Sequence, residues 1–194
     1  MKNMLSLCRV PLAMLSVALV LSACIPDSRN PLPSSADGEG DDRLIGRWFS
    51  GNEGEEYADV AAAAGDRYKV RMVSINEGGP SDSPGMSEFD ILATRIGENR
   101  YMTIVGFDEL KERGPDNPLH MILRYEITDG GQLLIWIMNL EAVGEDVHAD
   151  RIAGQVIRRN EIRLTADSAA LAAYIASSDV ARIFAGDPLP MRRP

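Results

Sequence analysis

The chain has 194 residues, with 20 basic and 29 acidic side chains and a formal charge of −9 at neutral pH. An acidic excess of this size argues against nucleic acid or an anionic membrane surface as the main partner. Two histidines are too few for a histidine-rich metal site.

The N-terminus opens on a positive stretch and an apolar run. Lys2 and Arg9 supply the charge, and Val10 to Ala23 is an uncharged segment of about 14 residues, the length of a signal-peptide apolar core. A bilayer-crossing helix needs roughly 20 such residues, so the run is short for a permanent anchor. Its end, Leu21-Ser22-Ala23-Cys24, resembles the lipobox of bacterial lipoproteins: an aliphatic residue, a small or aliphatic one, a small one, then cysteine. The resemblance implies that residues 1–23 are a signal peptide and that Cys24 becomes the first residue of the mature chain. It implies a diacylglyceryl group on the Cys24 thiol and an acylated amino group, so the membrane is a partner through this anchor. In enteric-type lipoproteins an aspartate after the cysteine retains the protein at the inner membrane. Ile25 stands there instead, implying outer-membrane sorting with the domain facing the periplasm.

Loss of Lys2 and Arg9 with such a leader leaves 18 basic against 29 acidic residues, a net charge of −11. Cys8 leaves with the leader and Cys24 carries lipid. A disulfide, a cysteine nucleophile and a thiolate metal site are thereby excluded from the mature domain. About 170 residues remain, enough for one domain with a single core.

Residues 24–42 read as a lipidated, disordered tether. Pro26, Pro31 and Pro33 stiffen its first half, Gly38 and Gly40 loosen its second, and no apolar periodicity appears. A flexible coil of about 18 residues spans roughly 23 Å r.m.s.. The acidic run Asp37 to Asp42 is not a calcium loop, because its sixth position is Asp42 rather than glycine and its twelfth is Trp48 rather than glutamate. From Arg43 onward the chain reads as one folded unit, 43–194. Leu44 to Phe49 is the first expected strand, followed by Glu55 to Ala62 and Arg67 to Ile75 around Ala64-Gly65-Asp66. Tyr68, Val70 and Met72 alternate with Arg67, Lys69 and Arg71, the period of a half-exposed strand.

Asn76 to Met86 and Asp108 to Pro118 are rich in Gly, Pro, Ser and Asp and read as the longest loops. Between them lies a hairpin, Ser87 to Ile96 and Arg100 to Phe107, across Gly97-Glu98-Asn99. His120 to Thr128 and Gln132 to Leu140 flank Asp129-Gly130-Gly131, the strongest hairpin signal in the chain. Leu133, Ile135 and Ile137 face one way and Leu134, Trp136 and Met138 the other, so this strand is expected to be covered on both faces. Glu141 to Gln155 reads ambiguously, with a short helix as one option, and Glu161 to Thr165 reads as a last strand. Two helices are expected within 166–184, the first capped by Thr165 and the second beginning at Asp179.

Seven or eight strands joined mostly by short turns, followed by helices, give a mainly β fold. An antiparallel meander of this size closes most economically into a small barrel, which removes exposed edges. Gly46-Arg47-Trp48 on the first strand resembles the G-x-W motif of lipocalins, and the late helix is similar to theirs. The resemblance implies a lipocalin-like barrel with Trp48 as a structural tryptophan at one end. The second lipocalin signature, T-D-Y, has no counterpart.

Motifs for catalysis are missing. The sequence contains no G-x-S-x-G, G-K pair, H-E-x-x-H or S-x-x-K. Asp146, His148 and Asp150 alternate and would share a face only if extended, which makes a solvated loop the better reading than a metal site. No catalytic residue, metal or free cofactor is assigned. The expectation is a non-catalytic binding or interaction module of the cell envelope, meeting an envelope protein. The alternative is a carrier or sensor of a small apolar ligand inside the barrel, with Trp48, Tyr68, Tyr101 and Trp136 available as lining. An enzyme without a readable motif stands third.

Overall fold

Alternating side chains and glycine turns organise the barrel, seen in a computed structural model that describes residues 25–35, 40–51, 56–74, 85–105 and 119–194. A two-residue strand, Asp27–Ser28 (β1), precedes the meander of Gly46–Ser50 (β2), Glu56–Ala62 (β3), Arg67–Ser74 (β4), Gly85–Ile96 (β5), Asn99–Val105 (β6), His120–Ile127 (β7) and Gln132–Ile137 (β8). The chain then leaves the barrel through the helix Leu140–His148 (α1), the hairpin Gly154–Arg158 (β9) and Glu161–Leu164 (β10), and the helices Ser168–Ser177 (α2) and Val180–Ile183 (α3). It returns as Leu189–Arg192 (β11). That last strand lies antiparallel between β8 and β2, and β6 pairs with β7. The result is a closed, eight-stranded antiparallel barrel.

Register decides what fills it. Trp48 stands opposite Ala58, which faces Met72, while Gly46, Val60, Val70 and Phe89 line up one step away. Tyr68, Ile91, Ile104 and Met121 continue the inward face round to β7. Trp48, Tyr68, Val70, Ile91, Met102 and Leu123 belong to one buried inner cluster. Arg67, Lys69 and Arg71 alternate outward and are exposed, as the two-residue period of β4 requires.

A second core lies outside the wall. Tyr101, Ile122 and Trp136 point out of β6, β7 and β8 into a cluster with Val143, Leu171, Ile175, Ile183 and Phe184 from the helices. This explains the strand that is apolar on both faces. Leu133 faces the inner cluster, and Trp136 and Met138 face the outer one.

Three features correct the sequence reading. The described part of residues 24–42 is not a free tether. Asp27 pairs with Met121 of β7 and Arg163 of β10, Leu32 is buried in the outer core, and Ser35 donates to Asp66 and Ala93 and accepts from the Arg95 N–H. Here β8 has ended at Ile137, opposite Leu123, so the first residues of β7 offer a free edge that β1 occupies. Prolines in this stretch do not oppose such docking, since short edge segments tolerate them. The cap of α2 is Asp167, whose carboxylate accepts from the Ala170 N–H at 2.8 Å, rather than Thr165. The ambiguous stretch 141–155 is α1, capped by Asn139, followed by the start of β9.

Candidate functional site

The barrel has two unlike ends, set by strand direction. At one end the connections are residues 63–66, 97–98 and 128–131, tight turns with Gly65, Gly97 and Gly131 at positive φ. At the other end they are residues 51–55, 75–84, 106–119 and the whole excursion 138–188. The short end is sealed, and the long end carries the variety.

The seal is built from the segment before β2. A 3-10 turn, Asp42–Leu44, is capped by Asp41, and the Trp48 indole N–H donates to the Leu44 carbonyl at 2.7 Å. Trp48 is fully buried, with the Arg193 guanidinium 4.7 Å from its ring centroid. Asp41 is 5% exposed. It accepts from Arg43 at 2.8 and 2.9 Å and from the Tyr125 hydroxyl at 3.1 Å, and Arg100 lies 3.3 Å away. Arg100 and Tyr125 are register partners on the inward face. Gly40 must be glycine for this closure, because a Cβ there would sit 2.1 Å from the Tyr68 hydroxyl. Beside Asp41 a cavity of about 110 Å³ is lined by Ser35, Arg95, Arg100 and Tyr125.

A second cluster repeats the same chemistry among the helices. Asp146 of α1 is 1% exposed and accepts from Arg151 at 2.7 Å, from the Tyr174 hydroxyl of α2 and from Arg182 of α3. A more open cleft of about 540 Å³ runs alongside, bordered by Glu145, Arg151, Ser177, Asp179 and Arg182. The solvated loop expected at Asp146, His148 and Asp150 is corrected here. A helix turns Asp146 into the ion-pair cluster, leaves His148 in its last turn and places Asp150 beyond it, at φ 53°. Among the described residues no three His, Cys, Asp or Glu side chains gather to hold a metal.

Electrostatics fix both clusters in one charge state. Burial alone would raise the Asp41 carboxyl, but the hydrogen bonds and charges of Arg43, Arg100 and Tyr125 outweigh it and hold it below the usual carboxylate range. Burial likewise opposes the ionised form of Asp146, and Tyr174, Arg151 and Arg182 overcome it. Tyr125 and Tyr174 are pushed up, first by burial and then by the adjacent carboxylates, so both stay protonated donors. General acid–base catalysis works best with a group that titrates near the operating pH. These two aspartates and two tyrosines are locked away from it. His120 is buried at the start of β7, and burial lowers its pKa against a weaker opposing hydrogen bond involving Ile104.

Cys24 lies outside the described residues, as do Asp108 to Pro118 and all of Asn76 to Met86 except Gly85 and Met86. The strand ends that carry those two loops, Ser74 and Gly85, Val105 and His120, all belong to the long end. There the inward-facing Met72, Phe89, Ile104 and Ile137 are only partly buried and Leu189 is 40% exposed. The four aromatic residues divide: Trp48 and Tyr68 belong to the inner cluster, whereas Tyr101 and Trp136 belong to the outer one. Neither aspartate centre was legible in the sequence. Asp41 sits in an acidic run, and Tyr125 lies 84 positions away. Compared with protein-family models, curated proteins and solved structures, the chain matches none of them.

Proposed function

We propose that the chain is a lipid-anchored bacterial envelope lipoprotein, held by Cys24 at the outer membrane and facing the periplasm, whose barrel is a binding module rather than a catalyst. The observation that carries the binding reading is the asymmetry of the ends: every long connection leaves from one end of a rigid wall, and the other end is sealed. Loops held on a rigid scaffold are where recognition usually resides. The fixed charge states of Asp41 and Asp146 support the same reading, since neither cluster offers a proton to exchange near neutral pH. The anchor rests on Leu21-Ser22-Ala23-Cys24.

A second reading has its own support. The partly exposed apolar side chains inside the long end suit a small apolar ligand, which makes the module a carrier or sensor. A ligand that binds only the folded state raises the melting temperature by mass action. A thermal-shift screen of the full chain with fatty acids and phospholipids separates the two: a dose-dependent rise favours the carrier, and no rise favours a protein partner. Mass spectrometry of the N-terminal peptide and membrane fractionation test the anchor. Acylated Cys24 in the outer membrane is the expected result. An unmodified thiol overturns the anchor, and recovery in the inner membrane overturns the sorting. Turnover of a substrate that is lost on replacing one carboxylate or histidine overturns the binding reading.

A further inference from the structure

The N-terminal strand governs how closely such an anchor holds the barrel. Ile25 packs against the inner cluster, and Asp27 and Ser28 are paired into the sheet beside β7 and β10. Cys24 is the next residue in the chain. Three residues of extended backbone reach at most about 10 Å, so a lipid on Cys24 starts within that distance of Asp27. No slack of tether length separates the two.

One exposed element adjoins this point. The Arg163 guanidinium contacts Asp27 at 2.8 Å and Glu161 at 3.5 Å, and Glu161 contacts Arg158 at 3.7 Å. These three ion pairs run from β1 to the tip of the β9–β10 hairpin. Because β10 is parallel to β1, the tip extends in the direction in which the chain runs back toward Cys24. Strand β9 is the outermost of the sheet. Val156 and Ile157 are 38% and 41% exposed there, and Arg158 and Arg159 follow them in the open. Single exposed aliphatic residues need no explanation. Two in succession, followed by two arginines and placed beside an acyl attachment point, have a common chemical complement. Apolar side chains enter the boundary between headgroups and acyl chains, and guanidinium groups grip phosphate.

We propose that the β9–β10 hairpin is the membrane-seating surface of the protein, with Val156 and Ile157 in the headgroup layer and Arg158 and Arg159 on phospholipid phosphates. The barrel then sits directly on the bilayer instead of hanging from a leash. Because β1 is antiparallel to β7, whose first residues lie at the long end, the hairpin tip points away from that end of the barrel. This inference rests on the lipid-anchor reading, and one preparation tests the two separately. The full chain is expressed in a bacterium that processes lipoproteins, with photoreactive p-benzoylphenylalanine in place of Ile157 or, as the control, of Lys69, whose side chain is 75% exposed on β4. Membranes are irradiated, and the purified protein is weighed for phospholipid adducts and for acylation of Cys24. The expected result is a severalfold higher phospholipid adduct at position 157 than at position 69. Acylated Cys24 with no excess at 157, or an adduct at 157 to a second copy or another protein, overturns the hairpin proposal. An unmodified Cys24 overturns the anchor reading, and the adduct ratio then still decides whether the hairpin meets lipid.

Discussion

Asp41 and Asp146 are two solutions to one problem in two parts of the molecule. Each is a buried carboxylate with one tyrosine hydroxyl and two arginines around it. Removing a carboxylate from water costs several kcal/mol, which only a full set of donors offsets. The difference lies in what each set ties together. Asp41 collects Tyr125 from 84 positions away and fastens the floor of the barrel. Asp146 collects Arg151, Tyr174 and Arg182 from 5, 28 and 36 positions away and fastens three helices to one another. One lock is long-range and closes the wall, and the other is local and assembles the excursion between two wall strands.

The largest expected effects come from testing whether those two parts melt separately. Trp48→Ala in the inner core and Phe184→Ala in the outer core should each cost about 3–5 kcal/mol. Because β11 follows the helices and completes the barrel, calorimetry should give one lowered transition in both variants. Two resolved transitions for Phe184→Ala would show the helices to be an independent unit.

Next come the locks themselves. Asp41→Ala and Asp146→Ala should each cost about 3 kcal/mol, near the low end for a broken buried pair, since the orphaned arginines can turn to water. Arg43 and Arg151 are already about half exposed, at 51% and 53%. The clusters share no side chain, so denaturant unfolding of the double variant should be additive within about 0.5 kcal/mol. A larger deviation would mean that the two regions are coupled.

Smaller losses, about 1.5 kcal/mol each, are expected for Tyr125→Phe and Tyr174→Phe, which delete one hydrogen bond to a charged acceptor. The pH dependence follows from the same groups. Both aspartates have folded pKa values below their unfolded value near 3.8. Their contribution is fully present above that value and is lost as pH falls through the depressed folded values. His120, lowered from 6.5 by burial, adds an earlier loss as pH drops below 6.5, because the unfolded chain takes up that proton first. Melting temperature against pH should thus decline in two steps in the parent. His120→Gln should remove the upper one, and its survival there would assign it to another group.

Much of the wall was legible because its causes are local. Gly65, Gly97 and Gly131 supply positive φ at turns, and the alternation along β4 declares which face is wet. The strands that sequence reading missed, β1, β9 and β11, are short and take their stability from partners far along the chain. Pro190 even lies within β11, at a position that pairs with Leu134 of β8 and precedes the pairing with β2, which begins at Met191. The Asn139 cap turned an apparent alternation at Asp146, His148 and Asp150 into a helix. Both aspartate centres escaped notice for the same reason: a charged residue reads as solvated until its distant donors are known.

Contact at the two ends of the barrel is the most direct test of the account. Met86, 63% exposed at the long end, and Ile45, 36% exposed beside the sealed floor, are each replaced by a photo-crosslinking residue in the full chain and irradiated in intact cells. A discrete protein or apolar-ligand adduct is expected from position 86 and none from position 45. Adducts from position 45 alone would contradict the account.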